Sequence, residues 1–160
     1  NSSLDTTIRR HTFDSSEQEV FLGLWRTYDR LRALEEELFA AYDLSPQQYN
    51  ALRLLRSVHP GSMPTLQLAS WLISRAPDIT RMVDRLENAG LVRRERLPEN
   101  RRVVQVAITD AGIELLRKLA RPVRECARRQ LGHLSPEQQQ QLIELLRAAR
   151  APHEDPRSGW

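Results

Sequence analysis

Cysteine is almost missing from this chain: Cys126 is alone among 160 residues. A single thiol excludes an intrachain disulfide framework and a cysteine-built zinc ribbon. The four histidines, His11, His59, His133 and His153, are scattered without helical ligand spacing, so no metal site is expected. Glycine is scarce as well, six in all, which leaves little material for a loop that cradles phosphates. No nucleophile elbow or paired catalytic carboxylates can be read, so neither a cofactor nor an enzymatic activity is expected. No apolar run approaches the ~18 residues that would span a membrane. The opening stretch NSSLDTTIRRHTFDSS has no apolar signal core. A reduced, cytoplasmic protein is the resulting expectation. Lysine is the last scarcity: Lys118 is the only one, and every other basic side chain is arginine.

What is present is unevenly distributed. The formal net charge is +3, from 24 basic and 21 acidic residues. Between Arg75 and Arg102 stand Arg75, Arg81, Arg85, Arg93, Arg94, Arg96, Arg101 and Arg102, against Asp78, Asp84, Glu87, Glu95 and Glu99. This one segment therefore carries the whole excess, and the rest of the chain is balanced. A clustered basic patch is the electrostatic footprint of a nucleic-acid reader. Arginine suits bidentate contact with phosphate and guanine, although genome composition can produce the same bias.

Taken in order, residues 1–15 read as a loose polar tail. Ser16 and Glu19 fit a capping box that opens a first helix running to about Ala41. Its apolar positions, among them Val20, Phe21, Leu24, Trp25, Tyr28, Leu31, Leu34, Leu38 and Phe39, recur at helical spacing. Ser45, Pro46 and Gln48 open a second helix in the same way, and His59-Pro60-Gly61 stops it. Ser62-Met63-Pro64 is read as a short connecting strand, and Thr65 to about Leu72 as a third helix.

The fourth helix has Pro77 and Asp78 in its first turn. It turns Ile79, Met82, Val83 and Leu86 inward and Thr80, Arg81, Asp84, Arg85 and Asn88 outward. Gly90 closes it in a left-handed position. Leu91–Arg96 and Val103–Ile108 are expected to pair as a hairpin whose tip is Leu97–Arg102. Thr109 then caps a fifth helix, kinked at Pro122, and Ser135 caps a sixth that Pro152 ends. The triple Glu35-Glu36-Glu37 reads as a solvated face.

The fold class is thus mainly α with a small β-hairpin wing: a winged helix-turn-helix lobe plus a helical dimerisation lobe. The boundaries expected are a tail over 1–15, a helical dimerisation region over 16–42 and 110–151, a DNA-binding domain over 45–109, and a C-terminal tail over 152–160. The long apolar stripes of the first, fifth and sixth helices call for a second copy of the chain. A dimer would set two reading heads about one turn of duplex apart, ~34–36 Å.

Three stretches resemble the MarR family of bacterial regulators. They are Leu44-Ser45-Pro46-Gln47-Gln48-Tyr49, the run Asp78–Arg94, and Asn100-Arg101-Arg102 with Ile108-Thr109-Asp110-Ala111-Gly112. The resemblance covers about Glu17 to Arg150. It implies a homodimer on pseudo-palindromic DNA, usually a repressor. It also implies a cleft where a small aromatic or phenolic acid can bind and loosen the hold on DNA. The family's wing usually reads Asp-Arg-Arg, and here Asn100 stands in the aspartate position.

The candidate DNA-contacting residues are Arg75, Asp78, Thr80, Arg81, Arg85, Arg96, Arg101 and Arg102. Arg81 can fork to guanine O6 and N7, or else meet phosphate or pair with Asp78 or Asp84. Arg101 is the candidate for a narrow A·T minor groove. Asp78 can accept from cytosine or cap the fourth helix. Trp25, Tyr28, Arg53, Arg56 and His59 are the candidate ligand-binding residues, against plain packing for the two aromatics. Cys126 reads as a small buried apolar residue. The rival readings are an architectural DNA binder without a ligand, a protein-interaction adaptor and a small-molecule enzyme.

Overall fold

The structure is a computed structural model, and it describes residues 12–75 and 78–158. Residues 1–11 of the tail expected over 1–15 and the expected Pro77 in the fourth helix lie outside those residues. The chain divides into two compact units, residues 1–33 and 34–160. Helix α1 (Ser16–Ala40) contributes to both.

In the first unit the helix start sits one residue earlier than the capping-box reading. The Gln18 N–H donates to Ser15 Oγ at 3.1 Å, and the Asp14 N–H donates to Gln18 Oε1 at 2.8 Å. Ser15 takes the capping role because its hydroxyl reaches the N–H three residues on, which Ser16, already helical, leaves to it. Large apolar residues of α1 in this unit stand open to solvent: Phe21 is 64%, Trp25 64% and Tyr28 60% exposed.

The second unit holds the core. Its helices are α2 (Pro46–Ser57), α3 (Thr65–Trp71), α4 (Ile79–Asn88), α5 (Asp110–Leu131) and α6 (Pro136–Arg150). Its strands are β1 (Met63–Pro64), β2 (Val92–Leu97) and β3 (Asn100–Ile108). Ser45 and Ser135 each close a full capping box with the glutamine three residues later, as their spacing predicts. Leu52, Leu55, Leu68, Val83, Leu86, Val106, Ile108 and Leu119 are sealed from solvent. Each such side chain contributes about 1.5–3 kcal/mol of burial.

The expected two-stranded hairpin is a three-stranded antiparallel sheet in the order β1-β3-β2. Met63 pairs with Val106, and Val92 with Ile108. Pro64, which has no N–H to offer a ladder, stands on an edge strand. As the central strand, β3 is buried from Gln105 to Ile108 rather than on alternate residues only. Buried Gln105 accepts the Ser62 hydroxyl at 3.2 Å.

Thr109 caps α5 by accepting the Gly112 N–H at 3.1 Å, and its own hydroxyl donates to Gly90 O at 2.7 Å. Gly90 has φ +76°, the left-handed conformation that a helix-closing glycine supplies. Gly112 is required for a different reason. A Cβ there would meet the Leu91 carbonyl and come within 2.6 Å of Ile108 Cγ1. The helix passes unbroken through Pro122.

One reading of the acidic triple needs correction. Glu36 and Glu37 are exposed, but Glu35 is half-buried, and desolvation raises its carboxyl pKa. Burial, followed by the nearby Glu35 carboxylate, also raises the pKa of the Cys126 thiol. Cys126 is free and buried, as a small apolar residue would be.

Candidate nucleic-acid interface

The site is built on α4. Met82, Val83 and Leu86 are buried, while Thr80, Arg81, Asp84 and Arg85 are exposed on the opposite side. The split follows from helical periodicity: burying one stripe forces the other outward. Asp78 starts the helix by accepting the Arg81 N–H on Oδ1 at 2.9 Å. One carboxylate oxygen of Asp78 is therefore committed to the cap, where the helix N-terminus favours negative charge.

The loop that precedes α4 is held from α2. Buried Asn50 accepts the Ile73 N–H on Oδ1 at 3.1 Å. The Gln47 side-chain amide donates to Ser74 Oγ at 2.9 Å and to Arg75 O at 3.4 Å. Arg75 is thus presented, exposed, from a backbone fastened at two points. Neither Gln47 nor Asn50 stood out in the sequence as a functional residue. The only signal was a pair of amides on the helix that packs behind the turn.

Arg94, on β2, turns back onto α4. Its backbone N–H donates to Glu87 Oε2 at 2.8 Å. Its guanidinium pairs with Asp84 Oδ1, approaches Glu87 Oε1 at 3.4 Å and donates to Thr80 O at 3.0 Å. Asp84, a possible partner of Arg81, and Glu87 both stand within reach of this guanidinium. Both are taken by Arg94, and among the described residues Arg81 and Arg85 form no ion pair.

The wing tip is irregular. Leu97 pairs with Asn100, yet Arg96 pairs with Val104, so Arg101, Arg102 and Val103 bulge out of the ladder. A bulge re-aims side chains away from the sheet. Asn100 Oδ1 accepts the Arg102 N–H at 3.2 Å, and Arg96 donates a guanidinium N–H to Arg101 O. Arg96, a candidate DNA contact, is thereby engaged in holding the tip. The side chains of Arg101 and Arg102 are exposed.

The candidate ligand residues fall in both units and are described separately. Trp25 and Tyr28 in the first are exposed. Arg53, Arg56 and His59 in the second are exposed, on or just after α2. Trp71, at the end of α3, packs against the core. Among the described residues no group of three or more His, Cys, Asp or Glu side chains could hold a metal ion. Among them, too, no helix is long and apolar enough to cross a membrane.

A buried-backed helix with an exposed arginine face, followed by a hairpin with a basic bulged tip, defines a winged helix-turn-helix DNA-binding protein. Comparison with known proteins sharpens the class. Residues 44–104 match the model of the MarR family. The chain is 30% identical over 147 residues to the HTH-type transcriptional regulator YkoM of Bacillus subtilis, covering 89% of this chain and 94% of that protein. It is 60% identical to a MarR transcription factor of Planctomyces limnophilus. That crystal structure superposes with a TM-score of 0.68 over 86% of this chain and 99% of the other. Sco3205 of Streptomyces coelicolor, solved in complex with DNA, shares the fold at 23% identity, with a TM-score of 0.82 over 94% and 96%. The chain belongs to the MarR family of transcriptional regulators.

Proposed function

We propose that this protein is a sequence-specific repressor. It grips a pseudo-palindromic operator as a homodimer in the cytoplasm and lets go when a small aromatic or phenolic acid binds. The observation that carries the DNA reading is the state of Arg81: exposed on the outward face of α4, with its backbone fixed by the Asp78 cap and its guanidinium in no ion pair among the described residues. Such a group is free to fork to guanine O6 and N7. Arg75, Thr80 and Arg85 flank it as contacts to phosphate or base. Arg101 and Arg102 reach the adjacent minor groove, and Arg96 steadies them.

The homodimer reading rests on apolar surface that each unit leaves uncovered. Phe21 and Trp25 are exposed on α1, and Leu145 is 67% exposed on α6, a helix with no buried residue. Exposed apolar patches of this kind mark association surfaces. The helical region over 16–42 and 110–151 would form it. Repression then follows by occlusion, since a dimer seated across a promoter denies the site to polymerase. For the effector, Trp25 and Tyr28 offer planar surfaces on the first unit; on the second, the guanidinium groups of Arg53 and Arg56 suit a carboxylate, with the His59 imidazole as a further polar group.

Titration of the protein against a selected palindromic duplex and against random duplexes, over a range of salt, tests the DNA reading. The expected result is a preference of at least ~10³-fold for the selected sequence. Equal affinity for all duplexes would instead establish an architectural binder. Sedimentation tests the dimer. A thermal-shift screen of aromatic acids, repeated with operator present, tests release: an effector must both raise the melting temperature and free the DNA. If none does both, the repressor acts without a ligand of this class.

A further inference from the structure

The wing and α4 are the two parts proposed to meet DNA; they share the core at their base through Val83, Leu86, Val92 and Val106 and diverge beyond it. An open groove of about 610 Å³ separates them, with Ile79, Thr80 and Asp84 on the helix side and Arg96 and Val104 on the wing side. Arg94 crosses from one to the other. It takes hold of Thr80 O, Asp84 and Glu87, which lie at i, i+4 and i+7 and so form one stripe along the length of α4. At its other end the Arg94 backbone is clamped twice: by Glu87 Oε2 at 2.8 Å, and by its place opposite Val106, sealed in the core. A planar fork whose nitrogens lie apart reaches these three acceptors from two sides; a lysine ammonium gathers its three donors on one atom.

Arg94 also balances charge. Without it, Asp84 and Glu87 would stand as unpaired carboxylates beside a surface that has to approach phosphate. Its side chain is only 24% exposed, and its guanidinium donors are turned toward the helix.

We propose that Arg94 is a positioning residue for specificity. It fixes the wing against α4, so that the bases read by the helix and the flank read by Arg101 are accepted at one spacing only. The inference rests on the DNA-reading function proposed above. Through Arg94 the protein would measure the distance between two sequence elements without touching either.

The test compares wild type with R94M, R94K and the single partners D84N and E87Q on a selected duplex. A second duplex has one base pair inserted between the helix-read bases and the A·T flank. Wild type is expected to lose about tenfold or more on the shifted duplex, the size of one mismatched base pair. R94M should bind both within about threefold of each other, with R94K intermediate; the discrimination lost is then about 0.7 kcal/mol or more. D84N and E87Q each remove the charge of one partner while keeping an oxygen acceptor and should blunt the ratio in part, which keeps the test decisive if R94M folds poorly. Equal weakening of R94M on both duplexes, with the ratio intact, would overturn the proposal in favour of a merely structural role. A salt slope reduced by about one would overturn it in favour of a direct phosphate contact. Failure of wild type to bind any duplex would instead refute the DNA reading itself.

Discussion

Asn100 holds the backbone of Arg102, not its side chain: Oδ1 accepts the Arg102 N–H at 3.2 Å. The neutral amide thus fills the position where the family pattern has an aspartate, because a main-chain N–H needs only an acceptor. Asn100→Ala removes that acceptor and loosens a bulged tip that has few other ties. The A·T preference should fall, while affinity for a G·C-flanked duplex stays nearly unchanged. Asn100→Asp keeps an acceptor in place and should keep the preference. Titration on the two flanks decides it; a preference unaffected by Asn100→Ala would show that Arg101 is positioned by other means, such as Arg96.

Arg81→Ala should cost ~1–3 kcal/mol on the selected duplex and relax specificity at a single base pair. Binding measured across every single-base variant of the selected site reads this directly. The same loss on all variants would assign Arg81 to phosphate.

Asn50→Ala should destabilise the fold by ~1–3 kcal/mol, because the Ile73 N–H loses the acceptor that buried Asn50 provides. It should also weaken DNA binding beyond the loss of folded protein, since the same loop presents Arg75. Urea unfolding together with titration at low temperature separates the two effects. Binding that tracks the folded fraction alone would leave Asn50 a purely structural residue.

Glu35 gives a pH dependence whose sign is determined. Burial raises its pKa in the folded state, so the folded protein holds that proton more tightly than the unfolded chain does. Its contribution to stability is therefore present at low pH and is lost as pH rises from the ordinary glutamate range through the folded value. Glu35→Gln removes the cost of ionising a half-buried carboxyl and should raise the melting temperature at neutral pH, with the gain vanishing in acid. A gain that does not change with pH would point to packing rather than ionisation.

Much of this was legible from local chemistry. Ser45 and Ser135 cap their helices because a serine with a glutamine three residues later satisfies two orphan N–H groups by itself. Gly90 ends α4 in the left-handed region, and Asp78 begins it. The inward stripe of Met82, Val83 and Leu86 was readable from spacing alone, and so therefore was the outward placement of Arg81.

The partner of each polar side chain was not legible, because partners come from elements distant in sequence. The Arg94 fork reaches back 14 residues to Thr80 O, and Gln47 reaches 27 residues to Ser74. Periodicity says which way a side chain leaves its own element, not what stands opposite. The strand at Met63-Pro64 was read from the sequence, but its place beside β3 was not, for the same reason. Glu35 illustrates the limit within one helix. It sits in a run of three identical acids, and only packing singles it out for burial.

By itself, then, the sequence determined where helices start and stop, which faces are apolar, and that all the excess positive charge falls between Arg75 and Arg102. Those properties depend on neighbours within a few residues. The tertiary structure decided how that charge is used. Arg94 is half-buried against α4 and Arg96 ties the exposed tip, while among the described residues Arg81 and Arg101 form no ion pair, because a guanidinium near a carboxylate or carbonyl is held there while one without such a neighbour stays in solvent.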